Sequence, residues 1–289
     1  MTESGLVVVD KPAGLTSHDV VARVRQLAGT PKVGHAGTLD PMATGVLVLG
    51  IGKATRLLGH LALTEKSYDA TIRLGQATTT DDAEGTVLTT TSASATQPMT
   101  VRDVLGKFVG DLDQVPSSVS AIKVAGRRAH ERVRSGEAVV LAPRPVRIET
   151  IEVHDVRREG ELLDVDVSLR CSSGTYVRAL ARDVGAVLGV GGHLTALRRT
   201  SVGGIGLDQA RTLPQLADEL VMTSLGDGAR AHFPAYSLDE QQAADVRFGR
   251  RLALRLEEPG PVAVFAPGGE FLALYERAGT VARAVAVFC

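Results

Sequence analysis

The chain has 289 residues, 44% of them apolar and 22% charged, which suits one large globular domain or two. Its formal net charge of −1 gives no global attraction to nucleic acid, so any nucleic-acid site must be a local patch. Its two cysteines, Cys171 and Cys289, do not make a disulfide framework, and the sequence shows neither a signal peptide nor an apolar run of about 20 residues, so we expect a cytoplasmic protein without a membrane span.

The spacing of apolar residues, with glycine, proline and capping residues between them, predicts a mixture of strands and helices. In chain order, the predicted elements are a strand at 6–9, a helix from an N-cap at Ser17 to a stop at Gly29, a strand at 45–52, a helix at 53–63, a strand at 66–74, a loop at 75–85, a connection without regular structure at 87–98, a helix capped by Thr100, an extended segment at 113–122, a hairpin of 146–156 with 162–171, a helix at 179–188, a strand at 194–202 and a helix from Asp208.

The residue pattern of the sequence changes at about Phe233. Beyond it, proline and glycine separate short β-like runs, which predicts a small all-β domain of about 55 residues. We therefore expect two domains, at residues 1–232 and 233–289. The predicted strands of the second domain are 251–256, 262–266, 271–275 and 282–288.

The stretch from Gly34 to Arg56 reads GHAGTLDPMATGVLVLGIGKATR, is rich in glycine and contains a single acid, Asp40. Glycine permits tight or left-handed backbone, and Pro41 restricts the residue before it to extended conformations. Asp40 is therefore either an ordinary turn residue or a carboxylate that a rigid loop presents to a ligand. The local sequence favours neither interpretation over the other.

A basic run follows residue 122, with Lys123, Arg127, Arg128, Arg132 and Arg134 against one acid. Such a run is either a solvated face or a phosphate-binding patch, and composition alone does not decide between them.

Other catalytic motifs are incomplete. Gly52-Lys53 is followed by Ala54 rather than Ser or Thr, and Leu47 stands where a phosphate loop requires glycine. The sequence has no histidine pair at metalloprotease spacing and no cysteine cluster, so we expect no metal site. Cys171 is either a nucleophile with a histidine partner or, as its place at the end of an apolar strand favours, a packed thiol.

Five blocks in one order carry a family resemblance: DKPAGLTS, GHAGTLDPMATGVLVLGIGKATR, KSYDATIRLG, QVPSSVSAIKVAG and CSSGTYVRALARDVG. With them, the chain resembles the TruB family of tRNA pseudouridine synthases, of the bacterial type. The resemblance implies an α+β fold with a large, mainly antiparallel mixed sheet flanked by helices and a small C-terminal PUA-like β domain. It also implies isomerisation of the T-loop uridine at standard tRNA position 55, without a cofactor or metal, by a monomer that has tRNA as its partner and needs no partner protein.

The resemblance implies roles for particular residues. Asp40 matches the catalytic aspartate, which acts as a nucleophile at C1′ or as the base that removes the C2′ proton. Arg178 matches the arginine that pairs with it, and a guanidinium fork favours and orients a charged carboxylate. Tyr68 matches the tyrosine that stacks on the flipped base and helps to remove the C5 proton.

Further positions match the substrate-binding part of the family pattern. They are His35, Tyr176, Leu197, Asp82 and Lys11, with Lys123, Arg127 and Arg128 as the candidate phosphate patch. For Lys11 a structural ion pair is an equal alternative, and for Asp82 the neighbouring Asp81 leaves the register open. Val119 and His130 depart from the family pattern, which has aromatic residues there, and weaken the expectation of detailed RNA contacts near the basic run.

Three alternatives accompany this interpretation. The same fold could act on another RNA, or within a protein–guide-RNA assembly. The protein could be a tRNA-binding folding chaperone with secondary catalysis. It could also be a cysteine hydrolase that uses Cys171, which predicts loss of activity in Cys171→Ala.

Overall fold

A computed structural model describes residues 4–118, 141–250, 252–254, 256–258 and 260–289, and the backbone alone at 123–124 and 127–128. The strands are β1 (Gly5–Lys11), β2 (Val33–His35), β3 (Thr44–Ile51), β4 (Lys66–Leu74), β5 (Gln76–Thr78), β6 (Val87–Thr90), β7 (Gly110–Gln114), β8 (Lys123–Val124), β9 (Arg127–Arg128), β10 (Arg144–Glu159), β11 (Leu162–Cys171), β12 (Gly192–Val202), β13 (Ile205–Gly206), β14 (Thr223–Ser224), β15 (Ala235–Ser237), β16 (Val262–Phe265), β17 (Phe271–Ala278) and β18 (Val281–Val287). The helices are α1 (Ser17–Ala28), α2 (Leu58–Leu61), α3 (Pro98–Gly106), α4 (Val177–Val187), α5 (Leu213–Asp218), α6 (Leu225–His232) and α7 (Glu240–Arg247). Within the described ranges, no helix is long and apolar enough to cross a membrane.

The contacts between residues divide the chain into two compact units. Unit 1 contains residues 1–39, 45–62 and 202–289, and unit 2 contains residues 40–44 and 63–201. Most of the predicted site residues, including Asp40, belong to unit 2.

Unit 2 is built on a sheet in which the strands follow the order β12, β4, β11, β10, β7. The pairs β4–β11, β10–β11 and β7–β10 are antiparallel, and Tyr68 on β4 lies opposite Leu169 on β11. Alternate residues of β11, such as Val165 and Val167, are buried, as the period of a half-buried strand requires. Helix α4 packs against β4, and α3 packs against β10.

Unit 1 contains the antiparallel pairing of β1 with β3 and β14, and β2 pairs with β3. It also contains a small C-terminal sheet in the order β15, β16, β17, β18. Phe265 and Phe271 of this small sheet share one hydrophobic core with Leu6 and Val48 of the first strands. The α+β class with a large, mainly antiparallel sheet and a small C-terminal sheet is confirmed, whereas the division into domains at residues 1–232 and 233–289 stays a prediction.

Two of the predicted helix caps are wrong. Helix α1 is capped by Thr16, not Ser17: the Thr16 hydroxyl accepts the Asp19 N–H, and the Asp19 carboxylate accepts the Thr16 N–H. Ser17 lies inside the helix with a buried side chain. Helix α3 begins at Pro98, where proline is well tolerated, so Thr100 is an internal residue rather than the cap.

Two connecting segments also differ from their predictions. The helix expected at 53–63 is a 3₁₀ turn, Gly52–Arg56, followed by the single turn of α2. Lys53 and Arg56 of this turn donate to the carbonyls of Phe288 and Val287, at 2.9 and 3.0 Å, so they hold the last strand rather than a phosphate. The region expected to be loop and connection contains the antiparallel pair β5–β6, because its threonines and Val87 favour extended backbone.

The remaining corrections lie near the ends of elements and in the C-terminal region. Of the extended segment expected at 113–122, Asp113 and Gln114 belong to strand β7, which ends at Gln114, and residues 119–122 lie outside the described residues. In place of one helix from Asp208, the chain forms a short 3₁₀ turn and then α5 and α6. The C-terminal region is not all β, since it contains α7, and of the strand expected at 251–256 the described residues form one bridge, Leu252 with Ala282.

Candidate active site

Asp40 lies in a tight segment whose backbone the sequence prescribes. Gly37 and Gly45, on either side of it, have φ angles of 94° and 97°, in the left-handed region that favours glycine. The Ser17 hydroxyl accepts the Leu39 N–H at 2.9 Å and donates to the Leu39 carbonyl at 3.1 Å. One buried side chain therefore fixes both backbone groups of the residue that precedes Asp40.

Arg178, near the start of α4, forms a bidentate ion pair with Asp40, in which two guanidinium nitrogens face the two carboxylate oxygens as a fork. Its Nε lies 3.0 Å from Oδ2 of Asp40, and its Nη2 donates to Oδ1 at 3.1 Å. The Arg178 side chain is 5% exposed and the Asp40 side chain 34% exposed. The fork therefore holds the carboxylate from its buried side and leaves part of it open to a substrate.

The same guanidinium holds a second carboxylate. Nη1 of Arg178 lies 3.1 Å from Oδ2 of Asp82 and donates to the Thr80 carbonyl at 2.9 Å. The Asp82 side chain is 3% exposed, and its Oδ1 accepts hydrogen bonds from the Thr80 hydroxyl and the Glu84 N–H. Asp82 thus makes its contacts inside the protein. Of the two carboxylates that Arg178 binds, Asp40 is the more exposed to solvent.

The neighbouring Asp81 serves a different partner. It has a positive φ of 59° and lies 3.3 Å from Nη1 of Arg182, one turn further along α4. The structure thus places Asp82, not Asp81, on Arg178.

Glu84 connects the acidic loop with the Asp40 segment. Its side chain accepts a hydrogen bond from the Met42 N–H, while its own N–H donates to Asp82. Partial burial raises the pKa of Glu84, and the negative charges of Asp82 and Asp40 raise it further.

Tyr68 lies on β4 with 7% of its surface exposed. Burial raises the pKa of its hydroxyl above the usual value of 10.0, although Arg199 opposes this through its charge and a hydrogen bond. The charge of Asp40 also acts on the hydroxyl and raises the pKa. Tyr68 is therefore a neutral phenol at neutral pH, electrostatically coupled to Asp40.

Tyr176 and Leu197 are placed by neighbouring elements of unit 2. The amide of Gln114 accepts the Tyr176 N–H at 2.8 Å and donates to the Tyr176 carbonyl at 3.1 Å, which fixes the N-cap position of α4. Leu197, on β12, lines a cleft of about 490 Å³ together with Met42 and Thr44, close in sequence to Asp40. Tyr176 therefore caps the helix that carries Arg178, and Leu197 shares a cleft with residues that closely follow Asp40 in the chain.

His35 and Lys11 belong to unit 1. The rings of His35 and His18 meet edge to face, with centroids 5.7 Å apart. The Lys11 side chain is fully buried, and its Nζ donates to the carbonyls of Pro12 and Leu15 at 2.9 and 2.7 Å, so Lys11 also organises the loop that follows β1. The roles of His35 and Lys11 toward a nucleotide stay predictions.

The basic run is described at backbone level alone. Lys123 and Arg128 lie opposite each other in the antiparallel pair β8–β9, and Val124 lies opposite Arg127. Val119 and His130 lie outside the described residues. The phosphate patch therefore stays a prediction, now carried by a short two-stranded ladder.

Cys171 is a packed thiol. It is 1% exposed, and burial raises its pKa to about 11, so it carries almost no thiolate at neutral pH. Across the described part of the chain, no group of three His, Cys, Asp or Glu side chains is arranged to hold a metal ion.

Sequence reasoning missed several residues that build the site. Ser17 was assigned to a helix cap, and Gln114, Glu84 and Arg199 were not singled out. Glu84 had a usable signal, since it follows Asp82 by two residues in an acidic loop. The others act through contacts between distant elements, for which a single sequence offers no signal.

Comparison with known proteins identifies the family. The N-terminal domain pattern of the TruB family pseudouridylate synthases matches residues 25–177, which is more than half of the chain. The chain belongs to the TruB family. Residues 178–233 match the tRNA pseudouridylate synthase B C-terminal domain, and residues 233–289 match the C-terminal domain of tRNA pseudouridine synthase II.

Relatives extend the TruB similarity over nearly the whole chain. The tRNA pseudouridine synthase B of Arthrobacter sp. (strain FB24) is 58% identical over 295 residues, covering 99% of this chain and 96% of the relative. That of Streptomyces griseus subsp. griseus is 55% identical over 292 residues, covering 99% and 98%.

Solved structures also share this fold. One is an H/ACA RNP bound to a substrate RNA containing 2′-deoxyuridine, with a TM-score of 0.74, 25% identity and coverage of 99% of this chain and 85% of that one. Another is a Cbf5-Nop10-Gar1 complex, with a TM-score of 0.75, 26% identity and coverage of 99% and 84%.

Proposed function

We propose that this TruB-family protein converts a uridine of tRNA to pseudouridine, and that the target is the T-loop uridine at standard position 55. Two kinds of observation support the proposal: relatives named tRNA pseudouridine synthase B align over 99% of the chain, and the matched aspartate is built as an oriented, outward-facing carboxylate. The arginine fork on Asp40 is the observation that carries the proposal.

The reaction breaks the C1′–N1 glycosidic bond, turns the uracil and forms a C1′–C5 bond, after which the C5 proton leaves. Asp40 either attacks C1′ or removes the C2′ proton, and both routes require an ionised carboxylate aimed at the ribose. Arg178 supplies both requirements, because its fork favours the charged form and sets the plane of the carboxylate. Both routes remain within the proposal.

Asp82 acts through Arg178 rather than on the substrate. With a side chain only 3% exposed, it anchors the third nitrogen of the guanidinium, so that the fork cannot rotate away from Asp40. Asp82 is thus a positioning residue in this proposal.

Tyr68 contributes its ring to the flipped base. Base stacking on an aromatic side chain stabilises an extruded nucleotide by roughly 1–3 kcal/mol. Burial raises the pKa of the Tyr68 hydroxyl, so Tyr68 is a neutral phenol at neutral pH. In this proposal it takes up the C5 proton as it passes its own hydroxyl proton to water.

The remaining positions are assigned to holding RNA. We assign His35, Tyr176, Leu197 and Lys11 to the pocket of the flipped nucleotide. The basic residues Lys123, Arg127 and Arg128 are assigned to phosphates of the T arm, and residues 233–289, as a PUA-like domain, to the acceptor stem. The active species in this proposal is a monomer.

The test is tritium release from a tRNA transcript labelled at C5 of uridine, since bonding of C5 to C1′ expels that hydrogen. The parent enzyme is expected to release one equivalent per tRNA, and none when cytidine replaces uridine 55. Asp40→Asn is expected to abolish release, whereas Asp103→Asn, on the exposed face of α3, is the matched control and is expected to leave it unchanged. Release that survives Asp40→Asn overturns the mechanism, and release from the cytidine-55 transcript overturns the assigned position.

A further inference from the structure

Helix α4, which carries Arg178 on its first turn, has no local signal that fixes where it begins. Its N-cap residue is Tyr176, whose side chain makes no capping hydrogen bond, and no acidic residue lies in the first turn. Arg178 itself places a cation near the positive end of the helix dipole, which is unfavourable. Contacts from outside the helix must therefore hold this end in place.

Gln114, the last residue of β7, provides such a contact. Its side-chain oxygen accepts the Tyr176 N–H at 2.8 Å, and its side-chain nitrogen donates to the Tyr176 carbonyl at 3.1 Å. Gln114 is 2% exposed, so little water reaches its amide. Because a buried amide that loses either bond is costly, Gln114 and the backbone of Tyr176 fix each other's position.

A second contact joins the end of β7 to α4 further along the helix. Nη2 of Arg182 donates to the carbonyl of Val115, the residue after Gln114, at 2.7 Å. Nη1 of Arg182 lies 3.3 Å from Asp81. The end of β7 is thus attached to α4 at two points, and Arg178 lies between them in the sequence of the helix.

We infer that Gln114 is a positioning residue for the ion pair of the active site: it fixes the start of α4 so that Arg178 meets both oxygens of Asp40. The inference rests on the proposed function, because that function assigns catalysis to Asp40. Arg178 follows Tyr176 by two residues, so a shift of the helix start moves the guanidinium with it. The fork has contacts of 3.0 and 3.1 Å, and a displacement of about 1 Å would break it.

The fork can be observed without RNA through the Nε–H group of Arg178, which faces Asp40. In ¹⁵N-labelled protein its NMR signal is the one missing in Arg178→Lys, and its exchange with water is slow while the hydrogen bond is closed. Gln114→Met keeps an unbranched side chain of similar length and removes both bonds to Tyr176. It is expected to speed this exchange about tenfold, and an unchanged rate in the folded variant overturns the inference.

Gln76→Met is the matched control, because the Gln76 side chain on β5 donates to the Thr90 hydroxyl at 3.5 Å in an exposed place. It is expected to leave the exchange of the Arg178 Nε–H at the parent rate. If Gln114→Met does not fold, Gln114→Glu takes its place, since a protonated carboxyl can both donate and accept as the amide does, whereas a carboxylate only accepts. Its exchange rate relative to the parent is expected to fall toward one as the pH falls, and a ratio that stays constant between about pH 8 and pH 5 overturns the inference.

Single-turnover tritium release connects the contact to the chemistry. Gln114→Met is expected to slow release about tenfold with tRNA affinity little changed, because Gln114 is buried. In an Arg178→Lys background, where the fork is already lost, the same change is expected to have almost no further effect. Equal losses in both backgrounds would assign Gln114 to general packing and overturn the inference. A failure of the proposed function is recognised separately, by absence of release from the parent enzyme while the Arg178 exchange still responds to Gln114.

Discussion

Replacement of Arg178 by lysine tests the core of the proposed site, because lysine keeps the charge and removes the fork. The guanidinium makes contacts of 3.0 and 3.1 Å with Asp40, 3.1 Å with Asp82 and 2.9 Å with the Thr80 carbonyl. An ammonium is a point charge on a flexible stem and cannot reproduce two parallel bonds to one carboxylate while it also holds Asp82. Arg178→Lys is therefore expected to keep a positive charge beside the ionised Asp40 carboxylate but to leave that carboxylate free to rotate.

The size of the effect follows from the contacts that are lost. At least two charge-assisted hydrogen bonds disappear, and each is taken at roughly 1.5 kcal/mol, the low end of the range, because water can replace part of the contact at Asp40. The sum of about 3 kcal/mol corresponds to a fall of about 10²-fold in the rate of the chemical step. Affinity for tRNA is expected to change little, since Arg178 is buried and makes its contacts inside the protein.

Single-turnover tritium release with enzyme in excess measures the chemical step, and filter binding measures tRNA affinity. The matched control is Arg73→Lys, because Arg73 makes the same Nε and Nη2 fork to Asp164, at 2.7 and 2.6 Å, elsewhere in unit 2. The control is expected to keep the parent rate. If Arg178→Lys reacts within about threefold of the parent, which is less than 1 kcal/mol, the fork does not organise Asp40 and the reasoning is refuted.

Two further predictions concern groups with shifted pKa values. Burial and neighbouring carboxylates raise the pKa of Glu84, so the folded state favours its protonated form and loses stability as pH rises through that pKa. Glu84→Gln, which keeps an acceptor for the Met42 N–H, is expected to gain thermal stability relative to the parent as the pH rises above 4.5, the ordinary pKa of glutamate, and a difference that does not change with pH would contradict this. At neutral pH a thiol reagent is expected to label exposed Cys289 and spare Cys171, whose pKa burial raises to about 11. Cys171→Ala is expected to keep the parent rate of tritium release, and loss of release in the folded variant would contradict the assignment of Cys171 as a packed thiol.

The sequence by itself determined the features that depend on a few consecutive residues. Gly37, Pro41 and Gly45 predicted the tight backbone around Asp40, and the glycines have the positive φ angles that such a segment uses. Alternating apolar residues predicted the strands at 66–74 and 162–171 at their observed bounds. Local backbone preference and the two-residue period of a strand are properties of neighbours along the chain, so one sequence suffices to show them.

Local sequence preferences gave the wrong helix cap where two neighbouring residues can both cap a helix. Both Thr16 and Ser17 can cap a helix, and Asp19 decided in favour of Thr16 by completing the capping box. The strand at Val87–Thr90 needed its partner at Gln76–Thr78, because an isolated segment of that length has no stability of its own.

The tertiary structure alone decided how the site is assembled. Arg178 reaches Asp40 across 138 positions of sequence, and the family resemblance, not residue spacing, was the reason to pair them. Asp82 and Ser17 are brought to their partners by strand order and helix packing, which depend on the summed burial of many side chains rather than on any local signal. The sequence thus left Asp40 open between a turn residue and a presented carboxylate, and the fold supplied the arginine that orients it.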